Sequence, residues 1–148
     1  MQITVILTPD AVDESRLLSR QAWASINEAL KLRRSGQADQ VRVVVIGQSL
    51  DESQGRILQR QSVDCRVVRE VDINLGPMEL VELFIDVIRV DHPDLIFIAR
   101  REEGSPCSLG NLLAELLHLR QPEALYSDHE RTLVIREIGS GMHRVRVA

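Results

Sequence analysis

The regular alternation of short apolar segments with longer amphipathic ones is the feature that most constrains the fold of this chain. The apolar segments are rich in Val, Ile and Leu, and the segments between them carry apolar residues at helical spacing. Strands are predicted at Ile3–Thr8, Val41–Ile46, Cys65–Val71 and Asp94–Ala99. Strands that alternate with helices indicate a parallel sheet with helices on both of its faces.

Capping and stop signals delimit the helices between these strands. The first is predicted after Asp13, which can cap it, and ends at Arg33 and Arg34 before Gly36. The second follows a cap at Asp51 and contains Gly55, which weakens a helix. The third and fourth are predicted over 78–90 and 109–119, where the third opens at Pro77 and is apolar enough for deep burial.

The C-terminal stretch follows a different pattern. Thr132–Ile138 and Met142–Val147 alternate apolar with polar residues, and Gly139-Ser140-Gly141 joins them. This pattern predicts an antiparallel hairpin. The predicted fold class is α/β with three layers, a mostly parallel sheet with helices on both faces plus the C-terminal β-hairpin. No segment resembles a linker, so residues 1–148 are predicted to form a single domain.

Composition narrows the classes of partner. Aromatic residues make up only 3% of the 148, so the core must consist of aliphatic side chains. The net charge is −4 with both signs interspersed, which argues against nucleic acid as a partner. No apolar stretch is long enough for a membrane span, and the N-terminus lacks the pattern of a signal peptide. We therefore expect a cytoplasmic protein whose Cys65 and Cys107 are reduced thiols.

In an open parallel sheet, ligands bind beyond the carboxyl ends of the strands. Three loops lie there, at Thr8-Pro9-Asp10, at Gly47-Gln48-Ser49 and over Arg100–Ser108. The last leads into a helix, whose first N–H groups and dipole favour a phosphate. The alternative is a solvated loop in which Ser105 or Ser108 only caps that helix.

The usual signatures of catalysis are missing from the sequence. No G-x-G-x-x-G follows the first strand, no G-x-x-x-x-G-K-[ST] exists, and no G-x-S-x-G elbow is present. The four histidines form no recognisable triad, and no His or Cys cluster has the spacing of metal ligands. We therefore predict no catalytic residue, no metal site and no enzymatic activity.

Several short segments together resemble the beta subunit of electron transfer flavoprotein. On the first predicted helix, the resemblance lies in Asn27-Glu28-Ala29-Leu30-Lys31-Leu32, which is similar to E-E-A-L-R-L of the family. On the fourth, it lies in Leu109-Gly110 through Ala114-Glu115-x-Leu117, which is similar to V-G-P-x-x-A-E-x-L. Elsewhere the resemblance lies in Val45-Ile46-Gly47, Val63-Asp64, Leu75-Gly76-Pro77, Pro93-Asp94-Leu95-Ile96 and Arg136-Glu137-Ile138-x-x-Gly141. The segments occur in one register over nearly the whole chain.

This resemblance implies a fold of the adenine nucleotide alpha hydrolase type that holds AMP as a structural ligand. It also implies an alpha-like partner subunit that carries most of the FAD site, with electrons drawn from flavin dehydrogenases. The residues that the likeness assigns to nucleotide binding are Thr8, Ile46, Gly47, Ala99, Arg100, Gly104, Ser105 and Ser108.

The sequence departs from the family at three places. In the loop before the fourth helix, where the family has acidic residues followed by Thr, the matched positions are Glu103, Ser105 and Pro106. The Asn and Asp of the family's AMP pocket fall on Ser19 and Ala22, and the family's arm beyond the hairpin, which grips the alpha subunit, has no counterpart. The first hypothesis is a redox accessory that acts with a FAD-bearing partner or as a dimer. The second is a nucleotide-binding or regulatory module that has lost electron transfer. The third is an interaction protein that dimerises through its third helix and hairpin.

Overall fold

The computed structural model describes residues 1–69, 75–100, 108–120, 131–137 and 141–147. The strands are β1 (Gln2–Leu7), β2 (Gln40–Gly47), β3 (Asp64–Arg69), β4 (Leu95–Ala99), β5 (Arg131–Glu137) and β6 (Gly141–Val147). The helices are α1 (Arg20–Arg34), α2 (Glu52–Arg60), α3 (Pro77–Asp91) and α4 (Leu109–Arg120), and a single 3-10 turn covers Pro9–Ala11. The alternation of strands and helices predicted from the sequence is confirmed.

All of the strands belong to one sheet with the order β3-β2-β1-β4-β5-β6. Every neighbouring pair is parallel except β5 and β6, which are antiparallel. Strand β1 lies between β2 and β4, so Val5 is in register with Val43 on one side and Phe97 on the other. Strands β2 and β3 therefore lie on one side of β1, and β4, β5 and β6 lie on the other. The direction in which successive strands are added to the sheet reverses between β3 and β4.

The sheet has a hydrophobic core on each face. On one face, α1 covers β1, β2 and β4 and α2 covers β3, through a cluster that includes Ile26, Leu30 and Leu58. On the other face, α3 and α4 cover the sheet through a cluster that includes Phe84 and Leu113. Because buried strands need apolar residues on both sides, β1, β2 and β4 are nearly continuous aliphatic runs. The prediction of a mostly parallel sheet with helices on both faces is confirmed.

The first helix begins later than the sequence predicted. The sequence predicted Asp13 as its cap, but α1 starts at Arg20. Its N-cap is Ser19, whose hydroxyl accepts the Ala22 N–H at 3.2 Å. Asp13 instead accepts the N–H of Leu17 at 2.9 Å within a tight turn. Val12 and Leu18 form an antiparallel bridge across that turn. Leu18 is therefore buried in the bridge and does not belong to the first turn of α1.

The other helix boundaries agree with the capping signals. Asp51 caps α2 by accepting the Ser53 N–H at 3.2 Å, and α3 opens at Pro77 and ends at His92 in a left-handed conformation with φ 48°. The predicted burial of α3 holds for residues such as Val81 and Ile85, while Met78 and Val90 are exposed. The end of the third predicted strand at 70–71 and most of the hairpin turn lie outside the described residues.

Candidate functional site

The carboxyl ends of β1 and β4 meet at the point where the strand order reverses, which is where an open α/β sheet offers a crevice for ligands. Thr8 follows β1 and joins the two ends, since its N–H donates to the carbonyl oxygen of Ala99 at 3.1 Å. The Thr8 hydroxyl lies 3.1 Å from the same oxygen and also contacts the Asp10 carboxylate. Thr8 is buried, so its polar atoms serve to hold the floor of the crevice.

A cleft of about 340 Å³ opens between the loop after β1 and the turn after β2. Its walls include Pro9 and Val12 on the β1 side and Gly47 on the β2 side. Gly47 has φ +113°, a conformation that other residues rarely adopt, and this lets β2 end close to Pro9. The cleft is therefore formed by two loops whose positions are fixed by the ends of neighbouring parallel strands.

The charge of this cleft is negative. Asp10, Asp13 and Glu14 are among its lining residues, and none of the described residues that line it is basic. Carboxylates in such a place accept hydrogen bonds from hydroxyl or amino groups of a ligand and repel phosphate groups. The cleft is therefore suited to an uncharged or cationic group.

The start of α4, for which the sequence suggested a phosphate, is occupied by a carboxylate of the chain itself. Glu137 at the end of β5 is buried, and its Oε2 accepts the backbone N–H of Gly110 at 2.8 Å and lies 3.4 Å from the Ser108 hydroxyl. Its Oε1 lies 3.5 Å from the guanidinium of Arg100. Glu137 thus supplies the anion that the helix dipole and the arginine favour.

The packing around Glu137 is close. A Cβ atom added at Gly110 would lie 3.3 Å from the Glu137 Oε2 and 3.5 Å from the ring of His143. The Nε2 atom of His143 is buried and has no hydrogen-bond partner among the described residues. Ser108 is also the cap of α4, since its hydroxyl accepts the Asn111 N–H at 3.1 Å. A side chain at position 110 would therefore press on the carboxylate where it contacts the helix backbone.

Six of the residues predicted for nucleotide binding lie at the carboxyl edge of the sheet. They are Thr8 after β1, Ile46 and Gly47 at the end of β2, Ala99 and Arg100 at the end of β4, and Ser108 before α4. Gly104 and Ser105 lie outside the described residues. The structure brings Arg100 and Ser108 together on Glu137, whereas Gly47 belongs to the separate acidic cleft. Their binding of a nucleotide remains a prediction.

Sequence reasoning placed no weight on Glu137 as a buried group. A signal was present, because the period of two along β5 puts Glu137 on the same face as Leu133 and Ile135, which pack against α4. A carboxylate on the apolar face of a strand needs an internal partner. The position of that partner, at the start of α4, is a feature of the tertiary structure.

The described residues also bear on metal binding and on membrane insertion. Within the described residues, no group of three or more His, Cys, Asp or Glu side chains is arranged to hold a metal ion. None of the described helices is both long and apolar enough to cross a membrane.

No protein-family model matches the sequence, and no curated protein is significantly similar to it.

Proposed function

We propose that this chain binds an adenine mononucleotide through its nucleoside part and acts as an accessory of the electron transfer flavoprotein beta type beside a partner that carries FAD. The observation that supports nucleotide binding most directly is the acidic cleft at the carboxyl edge of the sheet, between the loops after the neighbouring strands β1 and β2. In open α/β sheets, nucleotides bind beyond the carboxyl ends of the strands.

Asp10 is the residue proposed to hold the ribose. It is exposed, it lines the cleft, and its carboxylate stands next to the Thr8 hydroxyl, which limits its freedom. Acidic side chains at the corresponding edge of other nucleotide-binding sheets accept hydrogen bonds from ribose hydroxyls. The base would lie against the apolar surfaces of Pro9 and Val12.

The phosphate end of such a ligand receives little help from the described residues. Asp13 and Glu14 make the cleft negative, while Arg100 and the start of α4 are already paired with Glu137. Each further phosphate therefore adds repulsion. We expect adenosine and AMP to bind more tightly than ATP.

The redox role is proposed on the resemblance alone. Two segments that carry the likeness, Leu109-Gly110 and Arg136-Glu137, are joined by the hydrogen bond from the Gly110 N–H to Glu137. The cleft of about 340 Å³ is at the lower end of the range for ligand pockets, which suits a mononucleotide better than a dinucleotide. FAD therefore belongs to the partner in this proposal, and the accessory supplies no catalytic residue.

Calorimetric titration with adenosine, AMP and ATP tests nucleotide binding. Adenosine and AMP should bind with a dissociation constant below millimolar, and Asp10→Asn should weaken both by roughly tenfold because it removes a charge-assisted hydrogen bond. Asp86→Asn, an exposed carboxylate on α3 on the other face of the sheet, is the matched control and should leave binding unchanged. Circular dichroism of each variant separates lost binding from lost fold.

Two outcomes would contradict this part of the proposal. Absence of heat with millimolar adenosine and AMP would exclude the cleft as a nucleoside site. Tighter binding of ATP than of adenosine would mean that phosphates are recognised by residues other than those described.

The accessory role needs a separate test. The tagged chain is isolated from its native cells with its bound partners, and the complex is examined for flavin absorbance and bleaching by dithionite. A flavin that copurifies in constant ratio supports the role, whereas a complex without flavin rejects it and leaves nucleotide binding untouched.

A further inference from the structure

Strand β6 forms one edge of the sheet, and among the described residues no strand pairs with its outer side. It is an antiparallel strand of 7 residues from Gly141 to Val147. The outer N–H and C=O groups of an edge strand can accept a further strand from another chain. The side chains of β6 determine what kind of strand would fit.

One face of β5 and β6 is strongly basic. The residues on the α4 side of these strands, such as Leu133 and Val145, belong to the core, so the alternate residues lie on the α1 side. Cross-strand neighbours there are Val134 with Arg144 and Arg136 with Met142. Helix α1 packs on β1, β2 and β4, and Arg136, Arg144 and Arg146 are exposed beyond it.

The basic face continues onto α1 through a groove of about 590 Å³. Lys31 and Arg34 line the helix side of the groove and Arg136 lines the sheet side. The guanidinium of Arg136 lies 5.7 Å from the centre of the Phe97 ring and 3.9 Å from the Glu28 carboxylate, so it is held in place over the groove. Among the described residues that line the groove, Glu28 is the only acidic one.

This face is positive on a chain whose net charge is −4. We propose that β6 and the basic face beside it form a docking surface for an extended acidic segment of a partner protein, which adds to the sheet as a strand next to β6. Alternate side chains of the segment would be Asp or Glu, and one of them would lie next to Arg144 on the basic face. The residues between them would be apolar and extend the layer formed by Val145 and Val147 on the other face.

A second copy of this chain fits the surface poorly. Antiparallel pairing of two β6 strands would place Arg144 and Arg146 of each copy next to the arginines of the other, and like charges in that position are destabilising. At the opposite edge of the sheet, Arg66 on β3 lies 3.1 Å from the buried Asp91. Charge complementarity therefore favours an acidic partner at β6.

Fluorescence anisotropy with defined peptides tests this proposal. The probe is a labelled peptide with a core of alternating Glu and Val, as long as β6, and the reference peptides replace Glu by Lys or carry N-methyl groups at alternate amides. The Glu/Val probe alone should bind, and its affinity should fall by roughly tenfold between low salt and about 0.5 M NaCl, because the contacts are exposed ion pairs. Loss of binding on N-methylation would show that the main chain takes part.

Variants of the chain locate the contact. Arg144→Glu should weaken binding of the probe by at least roughly tenfold, and Arg144→Gln by less, since exposed charge pairs are individually modest. Arg60→Glu on α2, another exposed arginine, is the control and should have no effect. Thermal unfolding of Arg144→Glu confirms that the sheet is intact.

Three results would overturn the proposal. The first is equal binding of the N-methylated and unmodified probes, which would mean charge attraction without strand addition. The second is a dimer in sedimentation equilibrium that Arg144→Glu abolishes, which would make a second copy the occupant. The third is tighter binding of a single-stranded RNA oligomer to the same arginines than of the probe.

Discussion

Glu137 is the residue with the greatest expected effect on stability among those at the carboxyl edge. Glu137→Gln keeps an acceptor for the Gly110 N–H but removes the charge that faces Arg100 at 3.5 Å and the start of α4. The free energy of unfolding should fall by about 1 to 2 kcal/mol, because a charged hydrogen bond and a helix-dipole contact are lost. Urea denaturation measures the change.

Glu115→Gln is the control for that experiment, since Glu115 is an exposed residue of the same helix. Its effect should stay within about 0.5 kcal/mol, as for other exposed sites. An equal effect of the two substitutions would mean that Glu137 contributes no more than a surface carboxylate.

Cys65 provides a second prediction at the residue scale. Cys65 is an exposed residue, but its thiol is partly buried. This partial burial raises the pKa of the thiol above its usual value. The fraction of thiolate near pH 8 is therefore smaller than in a free cysteine, and the thiolate is the form that reacts. Iodoacetamide should modify Cys65 several-fold more slowly in the folded chain than in urea, as followed by mass spectrometry of its peptide. Equal rates in both states would contradict the shielding.

Two helices each contain a glycine, and the consequences of replacing them should be opposite. In α2, nothing lies within 4 Å of a Cβ added at Gly55, so Gly55→Ala should stabilise the chain by roughly 0.5 to 1 kcal/mol through helix propensity. In α4, the same change at Gly110 pushes on the Glu137 carboxylate at 3.3 Å and should destabilise by about 1 kcal/mol despite the gain in propensity.

Urea denaturation of both variants checks this pair. Stabilisation by Gly110→Ala would show that Glu137 moves away at little cost, and the role assigned to its contact with the helix would be wrong. Loss of stability in Gly55→Ala would contradict the open space found around α2.

The start of α1 shows why an element boundary is harder to predict than the element. Asp13 and Ser19 are both good capping residues, and Leu17 and Leu18 continue the helical spacing, so local patterns do not choose between them. The choice is made by the bridge between Val12 and Leu18 and by the N–H of Leu18, which donates to the side chain of Gln54 at 2.7 Å. Both contacts need residues that a local pattern does not include.

At the scale of the whole molecule, the sheet should be least stable at its antiparallel edge. Strands β1, β2 and β4 are covered by helices on both faces, whereas β6 is at the edge and one of its faces is exposed. Amide hydrogens of β1 should exchange only on global unfolding, while peptides of β6 should exchange by local opening at least roughly tenfold faster. Hydrogen exchange with mass spectrometry measures both. Equal protection of β1 and β6 would contradict this order.

The sequence by itself determined the α/β class, the parallel sheet and the edge at which a ligand would bind. These follow from local properties, since aliphatic runs form buried strands and all parallel strands of one sheet end on the same side. The antiparallel pair of strands at the C-terminal end was also predicted, because apolar and polar residues alternate over 132–138 and 142–147.

Only the tertiary structure decided how charge is distributed along that edge. Residues between Pro9 and Glu14 form an acidic cleft with Gly47. Glu137 contacts Arg100 and Gly110, which lie 37 and 27 positions before it in the chain. Local patterns predict which elements form, but they carry no information about which charged groups from distant elements become neighbours. For that physical reason the contact of the Glu137 carboxylate with the start of α4 could not be predicted from the sequence.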